Sequence, residues 1–392
     1  PYRVSLGYTN QEGIIKTSLF ERVTGAVSLS PTFFDDHLRV NLNAKGMWVK
    51  NRYAETGAVG GAVGMDPTKP VTSDEEPYKS SFGGYWQWYN MIEGPDKVKR
   101  PQFNTLATRN PVATLMLKSD IARSHDFIGS ADFNYKFHGL PELRANLNIG
   151  TERAFGRQEL ELPVTAASDH NYGRTGWDEI SKTNESLNAW LQYAKEADLH
   201  AFDVMGGYEW QHFYREGQSE YRGLVRTDTN KDKVIDENDK YYDERINSWK
   251  TENYLVSFFG RANYSFASKY LLTATVRFDG SSRFVKENRW GIFPSFAFAW
   301  KINEEDFLAD INELSDLKLR IGYGITGQQD LGQGDYPYIP VYKENKTGAY
   351  YPFENEAGEL EYFETNRPNV YNKRLKWEQT TTYNAGWDIS LL

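Results

Sequence analysis

Apolar and polar residues alternate along most of this chain, in segments joined by connections that are in turn short and long. The clearest stretch runs from Tyr254 to Gly280. Tyr254, Val256, Phe258, Gly260, Ala262, Tyr264 and Phe266 share one parity, with Ser257, Arg261, Asn263 and Ser265 on the other. After Ala267-Ser268-Lys269 the pattern resumes, setting Tyr270, Leu272, Ala274, Val276 and Phe278 against Thr273, Thr275, Arg277 and Asp279. A period of two is that of a strand with one apolar and one polar face. Strands of about ten residues or more, aromatic at both ends of the apolar face, are long for a soluble sheet and suit a bilayer crossing.

The pattern predicts about twelve strands. They are Tyr2–Tyr8, Phe20–Ser30, Leu38–Trp48, His125–Phe137, Leu143–Gly150, Glu185–Ala194, His200–Trp210, Glu252–Phe266, Tyr270–Asp279, Gly291–Ile302, Leu317–Thr326 and Trp377–Ser390. Pro31–His37, His138–Glu142, Lys195–Leu199 and Ala267–Lys269 read as short turns. Asn303–Asp316 is longer, with a helical turn expected around EEDFLADI. Between these lie Val49–Ser124, Thr151–Asn184, Gln211–Thr251, Gly280–Trp290 and Gly327–Lys376, expected as outer loops 49–124, 151–184, 211–251, 280–290 and 327–376. Short turns on one side and long loops on the other form the asymmetry of a bacterial outer-membrane barrel. A soluble β-sandwich also alternates, but it predicts connections of more even length and fewer outward aromatics.

Composition narrows the choice. Of the 392 residues 39% are hydrophobic, and no run approaches the ~18 apolar residues of a membrane helix. A helical membrane protein is excluded; a barrel is not, because half of each strand and all of the loops are polar. Aromatics reach 15%, a richness that suits interfacial girdles or sugar-stacking surfaces. With no cysteine there is no disulfide framework, thiolate zinc site or thiol nucleophile. A net charge of -9 leaves no basic footprint for nucleic acid. The chain opens in mid-pattern at PYRVSLGYT and closes on YNAGWDISLL, with no signal peptide, and so reads as a piece of a larger protein.

Several stretches resemble the SusC/RagA-type TonB-linked outer-membrane transporters, which import glycans or peptides. They include RVSLGYTNQEGIIKTSLFERVTGAVSLSPTFFDDHLRVNLNAKG, GAVGMDPTKPV, NPVATL and DFIGSADFNYKFHGLPELRANLNIG. TATVRFDGSSRF, RWGIFPSFAFAW, LKLRIGYGITGQQDLG and LKWEQTTTYNAGWDISLL continue the likeness in matching order. The resemblance implies an all-β fold: a transmembrane antiparallel β-barrel, of which this chain is about half of a wall of ~22 strands, a size whose lumen is plugged. It also implies an outer-membrane location, a SusD-like surface lipoprotein capping the mouth, and coupling to TonB through an N-terminal region and plug that this sequence lacks. The expected cargo is an oligosaccharide or a peptide, and the expected surroundings are outer-membrane lipid.

Three groups of residues are candidates for chemistry. In DTNKDKVIDEND, Asp228, Asn230, Asp232, Asp236 and Asp239 fall at positions 1, 3, 5, 9 and 12 of an EF-hand-like loop, with a Val234 carbonyl at 7. Oxygens at two-residue spacing suit Ca2+. Lys233 in place of the turn glycine, and Asp239 in place of a longer Glu, depart from that pattern, and a solvated acidic loop is the plainer reading. In FGGYWQWYNMIEG, Tyr85, Trp86, Trp88 and Tyr89 could stack on sugar rings. The same rings could instead pack within their own loop or dock a partner.

The third group is the set of inward charges, Arg39, Lys45, Arg144, Asp203, Glu209, Arg261, Arg277, Lys318 and Arg320, expected to pair with a plug or to line water. Trp48, Tyr135, Phe137, Tyr193, Tyr208, Trp210, Tyr264, Tyr270, Trp300 and Trp387 are expected to face lipid as an aromatic belt. No catalytic constellation appears: the six histidines are scattered, and DGSSRF lacks the glycines of a nucleophile elbow. The expectation is therefore a transporter and not an enzyme. The competing readings are a soluble or surface β-rich glycan-binding or hydrolytic domain, and a passive porin.

Overall fold

The computed structural model describes residues 1–93, 97–169, 173–224, 242–308, 311, 313–332, 334–344, 350–368 and 371–391. In chain order the early elements are β1 (Tyr2–Glu12), β2 (Leu19–Leu29), the two-residue β3 (Thr32–Phe33), β4 (Leu38–Arg52), α1 (Gly57–Gly64) and α2 (Tyr78–Ser81). There follow β5 (Tyr89–Glu93), β6 (Lys99–Phe103), α3 (Pro111–Met116), β7 (Ser119–Phe137), β8 (Leu140–Leu162), β9 (Arg174–Ala197), β10 (His200–Leu224) and β11 (Tyr242–Phe266). The last part holds β12 (Tyr270–Ser281), β13 (Trp290–Lys301), β14 (Leu314–Gln328), β15 (Tyr342–Glu344), β16 (Tyr350–Glu354), β17 (Leu360–Glu364), β18 (Asn366–Pro368) and β19 (Glu378–Leu391).

One antiparallel sheet runs β1-β2-β4-β7-β8-β9-β10-β11-β12-β13-β14-β19, each strand beside its neighbour along the chain. These are the twelve expected wall strands. The path does not close on itself among the described residues. Because every pair is in antiparallel register, the face of one strand fixes that of the next. Leu38 opposes Tyr135, Leu143 opposes Tyr193, Tyr264 opposes Phe202, Tyr270 opposes Trp300, and Leu319 opposes both Trp300 and Trp387. The ten aromatics expected to face lipid thus share one continuous face.

Four wall strands are far longer than the pattern suggests. β8, β9, β10 and β11 span 23, 24, 25 and 25 residues. The expected loop 151–184 is mostly strand, since β8 runs on to Leu162 and β9 begins at Arg174; the expected loop 211–251 shrinks likewise between Leu224 and Tyr242. The physical reason is that alternation marks where one face meets lipid. Above the bilayer both faces meet water, so apolar positions cease while the hydrogen-bond ladder continues. On β8 the outward positions pass from Leu147 and Ile149 to Thr151, Arg153, Phe155, Arg157 and Glu159, mostly polar with one aromatic among them.

The other long connections carry structure of their own. Residues 53–118 form a lobe with α1, α2, α3 and the β5–β6 hairpin, and the connection after β14 carries the β15–β18 and β16–β17 pairs. The short turns lie where expected, with Ala267 and Ser268 both at positive φ (51° and 56°), the geometry of a tight primed hairpin turn. In 303–316 the expected helical character appears as single turns at Ile302–Glu304 and Asp306–Leu308.

Candidate functional site: the outer lobe and the two faces of the wall

The lobe is organised round Asn110, which is almost fully buried. Asn followed by Pro111 suits a helix start: the side-chain oxygen caps α3 by accepting from the Val112 and Ala113 N–H groups at 3.0 and 3.1 Å. Its amide nitrogen donates to the carbonyls of Val71 (2.7 Å) and Trp86 (3.0 Å), and its backbone N–H donates to Gln87 Oε1 (3.2 Å). One side chain therefore ties the helix to the aromatic segment.

That segment divides by exposure. Trp86 is buried at 8%, stacked on Tyr78 (6.0 Å) and edge-on to Trp88 (4.7 Å). Tyr89 is half-buried against Tyr78 and Phe82, and Tyr85 is also half-buried. Trp88 is 39% exposed, with the Lys69 ammonium 5.6 Å from its ring. Of the four candidate stacking residues, Trp88 presents most surface to a ligand, while Trp86 and Tyr89 hold the lobe together.

Where the lobe meets the wall, Lys118 bridges Glu55 and Asp120, both at 3.1 Å. The hydrogen bond from Lys118 holds the Glu55 carboxyl below its ordinary range. Burial pulls the Lys118 ammonium down, but its bonds to Asp120 and Glu55 outweigh that and leave it raised. Beside this root lies a cavity of ≈ 380 Å³ between α1, α3 and the end of β8, lined by small residues such as Gly57, Ala58 and Ala113.

A second root fastens the connection after β14. Arg283 pairs with Asp330 (3.0 Å) and Asp335 (2.8 Å), Asn253 donates to Asp335 (3.1 Å), and the Arg283 hydrogen bond lowers the Asp330 carboxyl. Phe284, Phe293 and Trp377 form a buried cluster beside it, and the Trp377 indole donates to the Arg289 carbonyl at 2.9 Å. The ion-pair and hydrogen-bond partners lie 47 or more residues apart in the chain, so no local pattern announces them.

On the lumen face, several expected charges pair within the wall itself. Arg277 reaches Glu209 (2.8 Å) and Asp279 (3.1 Å), Arg320 and Lys318 meet Asp388 (2.6 and 3.9 Å), and Gln192 donates to Asp203 (3.0 Å). From β2 to β9 the same face carries a ladder of shorter polar side chains: Ser28 donates to Asn43 (2.7 Å), Asn148 to Asp132, and Asn188 to Asn148 (3.4 Å). Arg144 Nε, Asn146 Nδ2 and Asp203 Oδ1 are buried with no hydrogen-bond partner among the described residues, so part of this face is left for something else to satisfy. The expected calcium ligands Asp228, Asn230, Asp232, Val234, Asp236 and Asp239 lie outside the described residues.

Residues 63–392 match the family described as TonB dependent receptor-like, beta-barrel. The TonB-dependent receptor SusC of Bacteroides thetaiotaomicron is 49% identical, the match covering 100% of this chain and 38% of that protein. TonB-dependent receptor P3 of Formosa agariphila is 27% identical over 100% of this chain and 36% of its own length. The chain thus spans less than two-fifths of the length of either curated relative. A solved structure described as the RagAB peptide transporter superposes with a TM-score of 0.71 at 18% identity, covering 100% of this chain and 40% of that one. At that identity the likeness shows the fold alone.

Proposed function

The chain belongs to the TonB dependent receptor-like β-barrel family, and from that premise we propose that the whole protein is an outer-membrane importer of an oligosaccharide or peptide, driven through TonB and capped by a SusD-like surface lipoprotein. The observation that carries this reading is the two-faced wall, apolar outside and polar within, in a chain 49% identical to SusC. A polar lumen needs lipid on the other side of the sheet to make sense of exposed Tyr2 (84%), Leu6 (86%) and Trp387 (57%). Uptake of the native cargo by cells carrying the full-length gene should cease when TonB is deleted. Undiminished uptake without TonB would make the protein a passive porin.

Within this reading Trp88 is the substrate-stacking residue of the lobe, with Tyr85 beside it and Trp86 and Tyr89 as its support. Trp88→Ala should weaken cargo binding by roughly tenfold, the value of one good aromatic contact, and leave the lobe folded. Trp86→Ala should unfold the lobe locally. Unchanged cargo affinity in Trp88→Ala, with lipoprotein association lost, would reassign the patch to docking. The segment Asp228–Asp239 is proposed as a Ca2+ loop on its ligand spacing alone. Calorimetry on the full-length transporter should show chelator-reversible Ca2+ binding that Asp232→Ala removes.

A further inference from the structure

Three successive cross-strand rows cross the inward face of β8–β11 where those strands stand above the apolar band. In the middle row Gly156 opposes Ile180, Ile180 opposes Gly217, and Gly217 opposes Trp249. In the row two residues further out, Gln158 opposes Asp178, Asp178 opposes Ser219, and Ser219 opposes Asn247. In the row two residues nearer the membrane, Lys182 opposes Arg215 and Arg215 opposes Thr251. A strip without polar side chains thus lies between two polar rims, on the side of the wall that looks into the mouth.

Trp249 sets this strip apart. Among the described residues, the wall tryptophans at least 40% exposed are Trp48, Trp290 and Trp387, which face outward, and Trp249, which faces inward. No other ring and no cation of the described residues lies against it. Its indole leans over Gly217 instead: a Cβ on that glycine would stand 2.5 Å from the ring, so the missing side chain is what lets the indole settle on the sheet. Ile180, on the far side of the glycine, is 52% exposed. The charges on the rims are answered within the protein. Asp178 accepts from the Tyr221 hydroxyl, Lys182 pairs with Glu152 at 2.6 Å, and Arg215 lies within electrostatic reach of Glu152 and Asp330. Ser219, Asn247 and Thr251, by contrast, make no side-chain hydrogen bond among the described residues.

We propose that this strip and its rims bind a pyranose unit of a neutral oligosaccharide. The C–H face of the sugar lies on the indole and Ile180, and its hydroxyls reach Ser219, Asn247 and Thr251. A pyranose has the composition the surface asks for, apolar across its face and rich in uncharged donors and acceptors round its edge. An ionised ligand would find the rim charges already taken, and a purely apolar one would leave the amide and hydroxyl groups unused. The site rests on the importer reading given above and narrows its cargo to an oligosaccharide. It stands on the wall, apart from the lobe that carries Trp88.

The test is calorimetry on the full-length protein in detergent micelles, titrated in turn with maltoheptaose, cellohexaose, mannohexaose and an uncharged hexapeptide. At least one of the sugars should bind wild type and a Lys250→Gln control alike, since Lys250 stands on the outward face. Trp249→Ala should weaken that binding by about tenfold, and Trp249→Phe should recover most of the loss. Three results would each overturn the proposal: no sugar binds wild type, Trp249→Ala binds sugar as wild type does, or the peptide is the ligand whose binding goes with the ring. Should Trp249→Ala lose the folded, heat-modifiable gel band, Asn247→Leu decides: weakened sugar binding supports the site and undiminished binding sinks it. Uptake in cells with and without TonB is scored separately, so a failure of the importer reading is not mistaken for a failure of the sugar site.

Discussion

Asn110 shows how much one buried amide can organise. Losing it removes a helix cap, worth ~0.5–2 kcal/mol, and two hydrogen bonds from a buried donor, worth ~1 kcal/mol each. Asn110→Ala should therefore destabilise the lobe by about 2–4 kcal/mol, read as faster local hydrogen exchange across α3 and the Trp86 segment. Asn110→Asp keeps the capping oxygen but turns its other oxygen against the Val71 and Trp86 carbonyls in a buried site, so it should destabilise the lobe at least as much as Asn110→Ala. An Asn-Pro pair suits a helix cap, although residues 49–124 read only as a loop in the alternation pattern; the two carbonyls leave no local signal, because they come from positions 39 and 24 residues earlier. Glu55 yields a pH prediction at the same scale. Its folded carboxyl is depressed from an ordinary value of 4.5, so its contribution is fully present above that value and is lost as pH falls through the lower folded one. Exchange in the lobe root, corrected for intrinsic rates, should be flat from neutral pH to about pH 5 and accelerate below about pH 4. Added salt should blunt the difference, since Glu55 is 41% exposed.

At the scale of elements, β8–β11 separate two signals that usually travel together. The ladder of backbone bonds makes a strand; the alternation of side chains reports that one face meets lipid. Where the outward positions of β10 and β11 pass from Tyr208, Trp210 and Val256 to Glu216, Lys250 and Ser248, the second signal stops and the first does not. The chain is free of cysteine, which makes the point testable with introduced thiols. Ser248→Cys should react with a membrane-impermeant maleimide added to whole cells, and Val204→Cys, in the apolar band on the same face of the sheet, should not. Labelling of both, or of neither, would contradict the division of the strands into lipid-facing and water-facing lengths. The small hairpins after β14 were hidden for a related reason: β16 and β17 are exposed on both faces, so nothing forces their side chains to alternate.

For the whole molecule, strand order and the inside–outside assignment were readable from residues alone, because antiparallel neighbours in register propagate one face from β1 to β19 without a crossover. What could not be read was the fastening of loop to wall, such as Arg283 to Asp330 and Asp335, since each depends on chain brought back from a distance. The full-length protein should need detergent for extraction, and should migrate differently on gels before and after boiling. Recovery as a soluble monomer would return the reading to a β-rich domain. The unequal strands carry a further consequence. At roughly 3.3 Å per residue the tallest staves reach about 80 Å along their length, whereas β1 and β2, at 11 residues, stop near 36 Å. The parapet is therefore high on one flank and low on the other. Within this chain the outer rim thus rises along β9–β11 and drops at β2, so the water-facing wall is uneven from one strand to the next.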